Sequence, residues 1–379
     1  VRPISISEFK RFNNCRLRWY WSSAPPRGLG LAPRVSLPEL SFGRAIHAAL
    51  QIGYDEQIPF AEAYQRVADE NQPPDTLLFR EYRKKYYEQV GLGVDVLKHY
   101  QTWSEKHDPD YKFLATETKW DSIELPGTEA TLSAIIDAVV ERNDGLWLLD
   151  FKTTTSTTTT WTRQDPQATA YVYAARKLIS PDVRGMIFRF LRKKVPGDWK
   201  SMILKDGSVT TRKSVAKETT LDTYLRAMGV AVVKDLVEKG LLDYDGEPTL
   251  DGYNAALSTL QHDPEFKMCF TFAKGIYREQ LESFNKVPDQ FIWEVTEYRT
   301  DKQIENYMRH FIVPTAKEIL NVKWIGPTGL SSAYSHCARC PFKEPCRLAM
   351  EGADYRTLLK EEFELSPHYQ EELEDEDSD

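Results

Sequence analysis

The sequence predicts an α/β fold in which short acidic strands are surrounded by amphipathic helices, with a cysteine-bearing segment near each end. Three observations predict it. Residues 131–140 and 145–152 are brief apolar runs rich in β-formers, and Glu141-Arg-Asn-Asp144-Gly145 between them reads as a hairpin with an Asp-Gly turn. Residues 55–105, 168–178, 219–240 and 302–320 place apolar side chains at helical spacing. Cys15 lies near the start, and Cys337, Cys340 and Cys346 near the end, so one centre can join the two regions.

Taken in order, residues 1–30 are expected to form an N-terminal helix carrying Cys15, and 31–200 the core. Within that core His47 sits on the apolar helical face Ile46-His47-Ala-Ala-Leu50, where a lone histidine is more often a hydrogen-bonded core residue than a ligand. Glu117 follows Phe113-Leu-Ala, where a strand can end in solvent. The hairpin comes next, then residues 153–160, all threonine except Ser156. That run reads as a polar loop whose hydroxyls and amides can hold phosphates, with Trp161 beside it as a stacking surface. Gln167 and Tyr171, four apart, share one face of the following helix, and 184–193 reads as a strand. Residues 201–330 are expected to be a mainly helical elaboration with a late strand at 289–296, residues 331–360 the cysteine segment, and 361–379 an acidic disordered tail.

The cysteines form the most specific pattern. Cys337-x-x-Cys340 sets two thiolates on a tight turn, and Cys346 can fold back onto the same ion. Cys15, in Phe12-Asn-Asn-Cys15, is the candidate fourth ligand, because zinc and [4Fe-4S] centres both favour four cysteines. The ligand types do not separate those two centres. Five cysteines in 379 residues, with no leading apolar segment, point to a reducing cytosol and away from disulfides. Cys269, in Lys-Met-Cys-Phe with no Cys or His nearby, reads as a buried small hydrophobe.

The chemistry is expected on the hairpin. Asp137 interrupts the apolar run Ala134-Ile-Ile-Asp137-Ala-Val-Val, and a carboxylate there needs a partner or a metal. Asp150 and Lys152 are two apart on the partner strand and so point the same way. Asp-x-Lys alone can be an ordinary ion pair. With Asp137 opposite, two carboxylates can hold Mg²⁺ or Mn²⁺ while the lysine orients a water, which is equipment for hydrolysing a phosphodiester.

These residues resemble the RecB-like nucleases of the PD-(D/E)XK superfamily, in particular the iron-sulfur branch that includes CRISPR-associated and phage-type exonucleases. Phe42-Gly43-Arg-Ala-Ile-His47, Thr116-Glu117-Thr, Asp137, Asp150-Phe-Lys152 and Gln167-Ala-Thr-Ala-Tyr171 match in order, and the segment from Ile4 to Cys15 resembles the helix that delivers the first cluster cysteine. The resemblance covers about the first 180 residues and the stretch 335–349. It implies a restriction-endonuclease-like core, a mixed central sheet flanked by helices, with helical elaborations and a C-terminal iron-sulfur motif. It also implies a 4Fe-4S cluster on Cys15, Cys337, Cys340 and Cys346, and a catalytic metal held by His47, Glu117, Asp137, Asp150 and the Phe151 carbonyl. Lys152 would position the water, with Gln167 and Tyr171 lining the site. Ala134 stands where the family usually has glycine, and nothing in the resemblance covers the body from about 180 to 330.

Composition agrees with an enzyme of DNA once the tail is set apart. The formal net charge is −8, but residues 361–379 hold ten acidic side chains and no Lys or Arg, which leaves +2 for the body. Basic clusters remain for DNA at Lys10, Arg11, Arg16 and Arg18, at Arg80, Arg83, Lys84 and Lys85, and at Arg189, Arg192, Lys193 and Lys194. Such runs are more commonly solvated faces. With 41% hydrophobic residues the chain can bury a sizeable core as one elaborated domain or two, and no stretch is long enough to span a membrane. It opens at Val1, which implies that an initiator methionine or a longer N-terminus precedes it. The absence of a Gly-x-x-x-x-Gly-Lys-Ser/Thr loop argues against a built-in ATP motor. The leading expectation is a cytoplasmic exonuclease of a prokaryotic or phage-infected cell, acting in recombination or repair on single-stranded or duplex DNA ends with a preference for single strands. A recombinase, helicase or single-strand-binding protein would be its companion. A structure-specific endonuclease, or a catalytically silent DNA-end-binding module, are the alternatives.

Overall fold

Strand β1 (Ile4–Ser5) leads directly into α1 (Ile6–Asn14), where the Ser5 hydroxyl accepts the Glu8 N–H at 3.1 Å and caps the helix. The computed structural model describes residues 3–34, 38–73, 75, 80–286, 290–322, 337–338 and 340–366. The single helix expected over 1–30 is in fact two. Cys15 is extended, with φ −162°, and its sulfur accepts the Arg18 N–H at 3.4 Å as the cap of α2 (Arg16–Ser22). After β2 (Leu31–Pro33) come three helices, α3 (Pro38–Glu56), α4 (Phe60–Glu70) and α5 (Arg80–His107).

Strands β3 (Lys112–Glu124), β4 (Thr131–Arg142) and β5 (Gly145–Thr154) follow, so Glu117 lies inside a strand and not at its end. The β4–β5 turn is tighter than expected: Arg142 pairs with Gly145, leaving Asn143-Asp144 as the loop. Arg142 clamps Asp144 with two 2.7 Å hydrogen bonds, and Gly145 takes the positive φ, +128°. Helix α6 (Pro166–Leu178) carries the crossover from β5 to the parallel strand β6 (Gly185–Arg192).

Between β6 and its antiparallel neighbour β7 (Ile292–Tyr298) the chain inserts four helices, α7 (Leu221–Glu238), α8 (Leu250–Leu260), α9 (Pro264–Ile276) and α10 (Arg278–Lys286). They enclose their own core of Trp199, Met202, Tyr224, Met228, Val233 and Phe266 with neighbours. Cys269 is half-buried at the margin of that core, not fully enclosed. After β7, α11 (Asp301–Tyr307) passes through a π turn, Met308–Ile312, into α12 (Val313–Asn321). Pro314 lacks the N–H that would bond to the His310 carbonyl, which accounts for the widened turn before it.

The six-stranded mixed sheet runs β1-β4-β5-β6-β7, with β3 on the other edge of β4. Helices α1, α6, α11 and α12 cover one face, over Phe9, Phe12, Trp19, Leu132, Phe188 and Phe190. Helices α3, α4 and α5 cover the other, over Ile46, Leu50, Tyr100, Val140, Leu149 and Phe151. Both faces of the central strands β5 and β6 are therefore covered, as a sheet with a parallel crossover requires.

One feature of β4 positions the site. Its pairing with β5 stops at Ala138↔Leu149, while β1 takes the same edge of β4 further along, at Leu132 and Ser133. Strands β4 and β5 thus fork just where Asp137 and Asp150 stand. The inward-facing residues of β4 also change sides there: Leu132, Ala134 and Ile136 join one core, Ala138 and Val140 the other.

The chain ends meet. Helices α13 (Lys343–Met350) and α14 (Tyr355–Glu362) lead to β8 (Phe363–Leu365), which pairs antiparallel with β2. Leu17, Trp21, Phe342, Leu359 and Phe363 are buried between them. The tail expected to be disordered from 361 therefore begins inside folded structure, because Phe363 packs on Phe342 and β8 completes a ladder; residues 367–379 lie outside the described residues.

Candidate active site

Asp137 occupies the fork and replaces the missing ladder bond. Its Oδ2 accepts the Phe151 N–H at 2.7 Å, so the carboxylate is tied to β5 by the backbone. Its Oδ1 lies 3.2 Å from His47 Nδ1 on α3. Gly43, one turn earlier, lets α3 approach β5: a Cβ there would come within 3.2 Å of the Thr153 hydroxyl. Across β3, Thr116 pairs with Ala138 and Thr118 with Ile136, which sets Glu117 opposite Asp137. Glu117 is held at φ +38°, a conformation rare for a side-chain-bearing residue, of a kind that clusters at functional sites. The Thr116 hydroxyl bonds to Asp55 on α3 and locks the two elements together. His47, Glu117, Asp137 and Phe151, with Gln51, Tyr54 and Thr116, line a cleft of about 10 Å³, enough for one water or ion.

Asp150 and Lys152 project from β5 beside this cleft. Asp150 is only 3% exposed, and its Oδ2 has the Lys152 ammonium at 2.5 Å as an ion pair but no aligned hydrogen-bond donor. The two carboxylates are driven apart in acidity. Burial pushes Asp150 up to about 6, with Lys152 opposing and the Asp137 charge adding to the rise. Burial acts the same way on Asp137, but the His47 hydrogen bond and charge, Lys152 and the Phe151 amide hold it below the usual carboxylate range. Burial lowers His47 and Lys152, yet the facing carboxylates outweigh it and both are raised. Glu117 is raised by burial, then by Asp137.

Helix α6 closes the site from the other face. Asp165 caps it by accepting the Gln167 N–H at 2.7 Å, and the Gln167 amide donates to the Tyr171 hydroxyl at 3.0 Å. Burial and the nearby Asp150 charge push that hydroxyl up to about 12. Lys10 of α1 reaches Asp165 at 2.9 Å and Gln167 Oε1 at 3.2 Å, so one member of the first basic cluster is built into the site.

Arg189, counted among the DNA-facing basic residues, is not available to DNA. It is fully buried, with Nε 2.7 Å from Glu294 and Nη1 2.7 Å from Asp108 and from the Tyr100 hydroxyl. It pairs in register with Phe151, and Nη1 also reaches the Tyr54 hydroxyl at 3.1 Å, so it braces the cleft from beneath. The signal that marks it is the one that marks Asp137, a charge inside an apolar strand, Met186-Ile-Phe-Arg189-Phe-Leu. Arg16 is likewise engaged, with Glu318 at 2.8 Å.

Three of the four cysteines lie at the clasp formed by β2, β8 and the helices beside them. Cys15, Cys340 and Cys346 are half-buried against its apolar core, and Cys337 is exposed. Burial raises the thiols of Cys340 and Cys346; the Phe342 amide and Arg18 oppose the rise at Cys340, and the neighbouring cysteines add to it at both. Among the described residues, no three His, Cys, Asp or Glu side chains are gathered closely enough to form a metal-binding group, either here or at the fork. The hard oxygen and imidazole donors at the fork nevertheless suit a divalent cation, with Asp150 already paired to the Lys152 ammonium beside it.

No helix among the described residues is long and apolar enough to cross a membrane. No curated protein matches the chain. The family model of the PD-(D/E)XK nuclease superfamily matches residues 3–347, and with two acidic residues and a lysine at a strand fork the chain belongs to that superfamily.

Proposed function

We propose that the protein is a metal-dependent DNA exonuclease of the RecB-like, iron-sulfur type, hydrolysing phosphodiesters from DNA ends. The observation that carries this reading is the meeting of Asp137, Asp150 and Lys152 at the fork, with His47 hydrogen-bonded to Asp137. His47, Glu117, Asp137, Asp150 and the Phe151 carbonyl would hold Mg²⁺ or Mn²⁺. Bound there, such an ion lowers the pKa of water and offsets charge on the phosphate. The chain's own residues do the rest. The Phe151 amide fixes the orientation of Asp137, and the Lys152 ammonium, lying against Asp150, is placed to donate to the attacking water and the phosphate. Gln167 and Tyr171 form a hydrogen-bonded wall on the other side.

Cys15, Cys337, Cys340 and Cys346 are assigned to a 4Fe-4S cluster. The spacing Cys337-x-x-Cys340 with Cys346 following, and the place of Cys15, Cys340 and Cys346 around one apolar junction, support it, and a reducing prokaryotic or phage-infected cytoplasm is the setting in which such a cluster persists.

The test is incubation with end-labelled linear single-stranded and duplex DNA and a covalently closed circle, in Mg²⁺, Mn²⁺ or EDTA, beside Asp150→Ala. Metal-dependent loss of the linear substrates, sparing the circle and absent in the variant, is the expected result. Cutting of the circle would replace the reading with an endonuclease. Binding without cutting would replace it with an end-binding module.

A further inference from the structure

Trp161 is exposed on 42% of its surface, yet it is not a loose side chain. Its ring packs edge-on to Phe188 at 5.7 Å and to Phe190 at 6.0 Å, and Phe190 stacks in turn on Trp293 at 5.2 Å with 12° between the planes. Phe188 pairs in register with Asp150 and Phe190 with Lys152. Residues paired in register project to the same side of a sheet, so Trp161 stands on the face that carries Asp150 and Lys152, one strand away. Its neighbour Thr162 is buried and doubly anchored, its hydroxyl to Glu297 at 2.7 Å and its carbonyl to Arg299 at 3.1 Å. An exposed aromatic ring is thus fixed beside the candidate catalytic strand. It is flanked by the exposed stretch 155–158, rich in hydroxyls, and by exposed Arg163.

We infer that Trp161 is a stacking platform for an unpaired base, and that the substrate enters the site as a single strand. This deepens the nuclease reading, on which it rests for the location of the reacting phosphate. A base inside a duplex has both faces covered by its neighbours, whereas an unpaired base offers a free face to a rigid indole. The loop hydroxyls and Arg163 supply the polar and cationic groups that track a backbone. Pre-positioning of the ring by Phe188 and Phe190 keeps the entropy cost of binding low.

The test measures binding apart from cleavage. Fluorescence anisotropy with Ca²⁺ in place of Mg²⁺ or Mn²⁺ would compare a short labelled oligo-dT with an abasic oligonucleotide of equal length and charge, for the wild type, W161F and W161L. The wild type should prefer oligo-dT by about 5- to 150-fold, the range expected for one stacked base. W161F should keep most of that preference and W161L should abolish it, while affinity for the abasic strand stays constant. A wild type indifferent to the bases, or a W161L that keeps the preference, overturns the inference. Should W161L fail to fold, photocrosslinking of the wild type to an iodouracil-containing strand decides: a crosslink at Trp161 supports the platform, and crosslinks elsewhere only refute it. Cleavage with no Trp161-dependent preference would leave the nuclease reading standing alone. A Trp161-dependent preference without cleavage would do the opposite.

Discussion

Asp150→Asn should silence the enzyme and at the same time make the metal-free protein more stable at neutral pH. Burial lifts the Asp150 carboxyl from 3.8 to about 6, so the folded protein binds a proton there that the unfolded chain releases. Between those two values the folded state carries more protons than the unfolded one, and wild-type stability falls as pH rises through this window. Above about pH 6 the loss is complete. A shift of roughly two pH units corresponds to about 3 kcal/mol of destabilisation at pH 7 to 8. Asparagine mimics the protonated carboxyl, so the variant escapes the loss; the attraction of Lys152 for the ionised form is already contained in the value of about 6. Thermal or urea unfolding in EDTA is the assay, run from pH 4 to pH 8. The variant should match the wild type near pH 4 and exceed it by about 3 kcal/mol above pH 6, on the order of 3–6 °C in Tm for a chain of this size. A variant equal to or less stable than the wild type at pH 8, or a gain that does not change with pH, would refute the reasoning.

Three further outcomes are expected. Arg189→Met leaves Asp108 and Glu294 facing a buried gap without their cation, and should cost on the order of 3–5 kcal/mol in urea unfolding; a loss under about 1 kcal/mol would show that the network is dispensable. Glu117→Gly relieves both the φ of +38° and the carboxylate facing Asp137, so stability should be unchanged or higher by about 1 kcal/mol while metal-dependent cleavage falls; clear destabilisation contradicts it. Protein purified without oxygen should be brown with broad visible absorbance, and Cys346→Ser should bleach it; a colourless wild type containing zinc would reassign the centre.

Much of the sheet was legible because its strands follow their composition. The apolar run 184–193 became β6 (Gly185–Arg192), and the hairpin formed where Asn143-Asp144 interrupts two β-rich runs. Asp137 was legible for a different reason: a charge in an apolar strand has to be explained, and here the Phe151 amide and His47 explain it. The same logic applied to Arg189 would have removed it from the DNA-facing surface, but clustering with Arg192 and Lys193 in sequence suggested a basic patch. In a strand those neighbours alternate in direction, so a cluster in sequence is not one in space. The break at Cys15 and the backbone of Glu117 were not legible. Both lie against residues distant in the chain, Phe342, Leu359 and Phe363 of the clasp for the first, Ala138 and Ile136 for the second.

The clasp also bears on what the cysteines do. The chain ends are already joined by the β2–β8 ladder, by Trp21 against Phe342 at 5.4 Å, and by Arg34 with Glu364 at 2.9 Å. Five buried apolar side chains at this junction, each contributing about 1.5–3 kcal/mol, outweigh what one exposed ion pair adds. A metal centre at Cys15, Cys337, Cys340 and Cys346 would therefore sit on a junction that has its own packing, reinforcing it and fixing the break between α1 and α2. That break matters to the site, because α1 carries Lys10 to Asp165 and Gln167. Damage to the cysteines should then reach the catalytic fork through the position of α1 before it unfolds the protein.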